Sequence, residues 1–195
     1  MLASGGYPAL VDLLERISHI LLWDSRSVPW LVRRGLVKFR LRALASAAED
    51  LSKAVEYSSC DEDQVAGKVP PHLDALRYRA IVYDEMQCAY NLSRSESSTD
   101  LISCSESEKS RQDIDAVLAR SPHDVLILSA RAFHSASQGD LKEAQRHLTA
   151  INDAIEGGTC YLSELAPDDA DLDYTARGWA YASVSQASVC AAEQD

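Results

Sequence analysis

Apolar residues recur at steps of three and four along most of the chain. Between residues 7 and 23, Leu10, Leu13, Leu14, Ile17, Ile20 and Leu21 share one helical stripe. The same period predicts helices over 29–41, 44–57, 73–92, 109–120, 124–137, 141–155 and 172–192, and the two-residue alternation of a half-buried strand is nearly absent. Pro29 suits a first helical turn, where its missing N–H costs nothing. Pro122 stops one helix, and Gly139 in the "QGD" turn supplies a positive φ. Residues 60–71 form an acidic connection with Gly67 and two prolines. Residues 93–107, "SRSESSTDLISCSES", are too polar to offset their ordering entropy, so a mobile insertion is expected there.

The helices pair into hairpins that share one internal register. "VPWLVRRGLVKFRLRALASAAEDLSKAVEY" and "VLILSARAFHSASQGDLKEAQRHLTAINDA" align throughout. The eighth position is small in both, Gly35 and Ala132, and the twentieth is Ala47 and Ala144. Leu51 then matches Leu148, and Ala54 matches Ile151. This register resembles the tetratricopeptide repeat, whose period is about 34 residues. "QGDLKEA" is close to that family's turn, whereas Arg42 stands where the first hairpin's turn glycine is expected. A middle repeat carries Leu76, Ala80 and Tyr83, then Ile114, Val117, Leu118 and Pro122, with the serine tract inserted between. Residues 7–23 and 172–192 fit half-repeats, the latter through Tyr174 and Gly178.

The resemblance implies an all-α, right-handed superhelical stack of about three helix-turn-helix repeats plus terminal half-repeats, with residues 1–195 as one domain. It implies that Gly35, Ala47, Ala54, Ala80, Ala132, Gly139, Ala144 and Gly178 serve helix crossings and turns. It also implies a concave groove lined by the first helix of each pair. Arg33, Leu36, Phe39, Arg40, Tyr78, Ile81, Phe133 and Trp179 fall at its inner positions, an apolar lining suited to a peptide or protein segment. The family's carboxylate-clamp positions hold Pro29, Arg33, Tyr78, Leu126 and Ala130, of which only Arg33 suits a carboxylate. Locally, residues 13–55, with the Trp23-Asp24 pair and the arginine-rich helix after it, are similar to a hairpin junction of J-domain-bearing tetratricopeptide co-chaperones of the endoplasmic reticulum. No His-Pro-Asp triplet accompanies them. The expected function is an interaction scaffold acting as an assembly adaptor, with a co-chaperone that holds non-native clients as the alternative.

Composition narrows the partners. The chain has 195 residues and a formal net charge of −11, which argues against a nucleic-acid surface and against docking on anionic lipid. No apolar run is long enough for membrane insertion. Cys60, Cys88, Cys104, Cys160 and Cys190 are odd in number, scattered and without a Cys-x-x-Cys pair. They indicate neither a disulfide framework nor a zinc site and fit a reducing, cytoplasmic location. The sequon at Asn91 would be usable if the chain were a fragment from the endoplasmic reticulum lumen. No phosphate-binding glycine loop, His-Glu-x-x-His or Gly-x-Ser-x-Gly is present, and the five histidines are dispersed. An enzyme, a metal and a cofactor are therefore not expected, and the partner is a protein or peptide. Ser93, Ser97, Ser103 and Ser105 each precede an acidic residue by three positions, which makes them candidate phosphosites.

Overall fold

The computed structural model describes residues 7–59, 72–93, 103–137 and 140–157. These residues form seven helices and no strand: α1 (Tyr7–Trp23), α2 (Val28–Arg40), α3 (Leu44–Ser59), α4 (Leu73–Ser93), α5 (Ser103–Arg120), α6 (Val125–Ser137) and α7 (Leu141–Glu156). The helix expected over 172–192, together with Ser97, Gly139, Gly178 and Trp179, lies outside the described residues. The chain divides into two compact units, Met1–Arg111 and Gln112–Asp195, with the division inside α5.

In the first unit α1 packs on α2, α2 on α3, and α4 on both α3 and α2. Ile17, Leu31, Val32, Leu36, Val37 and Leu51 form its apolar interior. At the α2–α3 crossing, a Cβ placed on Gly35 would stand 2.8 Å from Leu51 Cγ and 3.4 Å from the Ala47 carbonyl oxygen. Glycine is thus required by the approach of the partner helix, and Ala47 and Ala54 are completely buried beside it in sequence register.

The α2–α3 turn is a Schellman motif. The Ala43 N–H donates to the Lys38 carbonyl and the Arg42 N–H to the Phe39 carbonyl, both at 2.9 Å. This closure needs a left-handed residue, and Arg42 supplies it at φ 62°. The turn that lacks the expected glycine therefore keeps the glycine's backbone conformation.

In the second unit α6 packs on α7. Leu128, Ala132, Leu148 and Ile151 form its apolar cluster, flanked by Leu118 and Val125, and Ala136 meets Ala144. Two aspartates start these helices. Asp124 Oδ1 accepts from the Ile127 N–H and Asp140 Oδ1 from the Glu143 N–H, each at 3.1 Å. Each caps an amide that has no partner within its own helix.

The serine tract departs from expectation. Ser93 is still the last residue of α4, and α5 begins at Ser103, so residues 103–107 are helical rather than loop. Serine followed three residues later by glutamate, as in Ser103 and Glu106, is also the sequence pattern of a helix start. Residues 94–102 lie outside the described residues.

Candidate functional site

Four of the predicted groove residues of the first unit lie in its interior rather than on an open face. Leu36, Phe39, Tyr78 and Ile81 are buried, and Tyr78 and Ile81 retain only 1% exposure. The cause is the packing of α4 against two helices, with a third contact through Ser110, about two turns into α5. The Ser110 hydroxyl donates to Asp84 Oδ1 at 2.5 Å and lies 3.2 Å from the Ala80 carbonyl oxygen. The same face of α4 buries an ion pair, Arg77 to Asp74 at 2.5 Å. A side chain already surrounded in this way offers a partner little further area to remove from water. Arg33, Arg40 and Phe133 remain half-buried, Arg33 lying 4.6 Å over the Trp30 ring. Ser103 and Ser105 sit in the first turn of α5 and Ser93 at the end of α4.

Exposed apolar side chains gather instead on α1. Ile17 and Leu21 are turned into the unit at 2% and 6% exposure. Consecutive helical residues are separated by about 100°, so the run Ile20-Leu21-Leu22-Trp23 cannot face one side. Leu22 and Trp23 stand 77% and 92% exposed. Two rows at four-residue spacing continue from them along the helix: Leu14, Ser18, Leu22 and, beside it, Glu15, His19, Trp23. Against these rows lies an open concavity of about 640 Å³, lined by Leu14, Glu15, Ser18, His19 and Leu22 of α1 and by Arg34 of α2.

Arg34 is held from behind. Its Nε and Nη2 each lie 2.7 Å from the two carboxylate oxygens of Asp50 on α3. Lys38, one turn further along α2, reaches the same carboxylate at 2.7 Å and the Ser46 carbonyl at 3.4 Å. Asp50 is only 2% exposed. Its desolvation is offset by two cations, one of them in a two-point fork that fixes the guanidinium plane. The concavity wall is thereby tied to the α2–α3 hairpin.

No family model, curated protein or solved structure matches this chain. The chemistry of the surface is therefore what bears on function. Among the described residues no group of three or more His, Cys, Asp or Glu side chains is placed to hold a metal, and no helix is long and apolar enough to cross a membrane. In the second unit, burial pushes the His147 imidazole below its ordinary value, opposed by Glu143 and reinforced by Arg131 and Arg146. His147 Nε2 lies 3.5 Å from Glu143 Oε1, beyond a good hydrogen bond.

The sequence contained the signal for the α1 surface in its run of four consecutive apolar residues. Reading only the stripe through Leu13, Ile17, Ile20 and Leu21 leaves Leu22 and Trp23 unassigned.

Proposed function

We propose that this chain is a protein-interaction scaffold of tetratricopeptide-like hairpins, with a binding rather than a catalytic role, and that the outer face of α1 is its docking surface. The observation that carries the reading is the exposure of Leu22 and Trp23 beside the concavity shared with Arg34. Leu22 lines the hollow, and the next residue, Trp23, leaves a large aromatic ring in water, the usual chemistry of a binding anchor. The mixture of apolar side chains with Ser18, His19 and Glu15 suits a protein surface or amphipathic helix. The scattered cysteines support a reducing compartment, the cytoplasm, as its location.

The test is affinity capture with the wild-type chain and with Leu22→Glu/Trp23→Ser, followed by mass spectrometry and titration of the captured partner. The adaptor reading expects one partner retained by the wild type and lost from the variant. Truncating a true anchor costs about 2 kcal/mol or more of binding. A broad set of denatured clients on both proteins would favour the client-holding role. Identical capture by both proteins, with unchanged affinity, would remove α1 as the docking surface.

A further inference from the structure

We infer that the segment docking on α1 is an amphipathic helix of another protein that sets a carboxylate against Arg34 and a cation against Glu15. The inference rests on the docking role proposed for this face and names the chemistry of its occupant. Of the five N–H donors of a guanidinium, Asp50 takes two, one on Nε and one on Nη2. The far edge, Nη1 with the second hydrogen of Nη2, makes no hydrogen bond to any described residue, while Arg34 lines the hollow. That edge holds a parallel pair of donors, which fits a second carboxylate in the same two-point fashion. Charge favours the same ligand. Lys38 shares the single Asp50 carboxylate, so Arg34 and Lys38 together keep one positive charge uncompensated at this wall. Asp50 also fixes the guanidinium in advance, so little side-chain freedom is lost when a partner binds.

On the α1 side of the hollow, Glu15 is exposed and has no ion pair with a described residue. The lining therefore offers opposite charges at two separate places, and Leu14 and Leu22 add apolar surface to the same hollow. An amphipathic helix matches this set, with apolar side chains at three- and four-residue steps, a carboxylate on one flank and a cation on the other. The two signs also select a direction. Docked the other way round, such a helix would set its carboxylate beside Glu15 and its cation beside Arg34, a repulsive arrangement that excludes the reverse fit.

Fluorescence anisotropy of labelled synthetic helices, titrated with the full chain, tests this. The reference probe has a leucine stripe flanked by glutamate on one side and lysine on the other. Two further probes replace the glutamate or the lysine by glutamine. Loss of the glutamate should weaken binding to the wild-type chain about tenfold or more, the loss expected for a charged hydrogen bond. On Arg34→Lys, which keeps a cation for Asp50 but has no second edge, the glutamate and glutamine probes should bind nearly alike. Each comparison is made within one variant, so a change in fold stability cancels. Loss of the lysine should cost about twofold to fivefold on the wild type and nothing on Glu15→Gln, a change at an exposed position. Equal binding of all probes to the wild type, or a glutamate preference undiminished in Arg34→Lys, overturns the inference. If Leu22→Glu abolishes that equal binding, the docking face stands without the charge pairing; if it changes nothing, both fall. Absence of binding by every probe overturns the inference too, and the capture comparison then decides the face alone. Self-association of the wild-type chain that Leu22→Glu abolishes would give the face to a second copy and overturn the foreign helix.

Discussion

Gly35→Ala adds one methyl group at the tightest point of the α2–α3 crossing. The new carbon would stand 2.8 Å from Leu51 Cγ and 3.1 Å from Leu51 Cδ2. Carbon pairs prefer about 3.5–4.0 Å, so the helices must separate by several tenths of an ångström. Leu51 is fully buried, so its side chain cannot turn out into solvent. Overpacking of this kind costs about 1–3 kcal/mol. Alanine in a helix interior recovers about 1 kcal/mol over glycine, which leaves a net loss of up to about 2 kcal/mol. The decisive comparison is with Leu51→Ala, which alone should cost about 2–5 kcal/mol. In that background the obstruction is gone, and Gly35→Ala should stabilise by about 1 kcal/mol. Urea unfolding of the four proteins, followed through the half-buried Trp30 on α2, gives the coupling energy directly. If Gly35→Ala stabilises the wild-type chain, or shifts both backgrounds equally, the crossing is not limited by Leu51 and the close-approach reasoning is wrong.

Four further expectations follow. Arg42→Gly should raise stability by about 0.5–1 kcal/mol, because it relieves a left-handed non-glycine residue. The Arg42–Glu85 ion pair it removes, 2.5 Å long with the guanidinium 64% exposed, is worth little. Arg42→Ala keeps the backbone strain and should show no gain, and equal melting temperatures for the two variants would sink this account. Asp50→Ala leaves Arg34 and Lys38 without their shared carboxylate and should cost about 3 kcal/mol, at the low end for a broken buried pair because both cations retain some solvent; a loss under about 0.5 kcal/mol in denaturant titration would count against it. Burial holds His147 less basic in the fold than in the unfolded chain, so acid favours the unfolded state. Stability should decline as pH falls below about 6.5, and His147→Gln should flatten that slope; parallel pH profiles for the two proteins would contradict it. Ala144→Leu, at a fully buried site against Ala136, should cost about 1–3 kcal/mol by thermal melting, and an unchanged melt would show the contact to be loose.

Helix positions were legible because apolar spacing and turn residues are local. The predicted 7–23 stripe is α1, and "QGDLKEA" precedes and opens α7. The small residues Gly35, Ala47, Ala132 and Ala144 also identified their own burial, since a small side chain in a register shared by two hairpins signals a close neighbour only when both helices carry it. Two features were not legible. Repeat position tells which face of α4 carries Tyr78 and Ile81, but whether that face stays open depends on chain distant in sequence, here including Ser110 thirty residues beyond Ala80. The start of α5 was obscured because serine-rich composition signals a loop while serine-to-glutamate spacing signals a helix cap. In the structure the helical alternative prevails from Ser103.

Arg34 faces two constraints at once. One side of its guanidinium closes the surface concavity, and the other holds the buried Asp50. A substitution that retunes what the surface accepts would therefore also loosen the hairpin behind it. Leu14, Ser18, Leu22 and Trp23 have no such double duty in the hydrogen bonds and ion pairs described. On the proposed docking role, side chains at the exposed Leu22 and Trp23 can change at little thermodynamic risk, while Arg34 stays pinned by its second task. New specificities would then arise by exchanging exposed side chains on α1 and leaving the α2 wall unchanged.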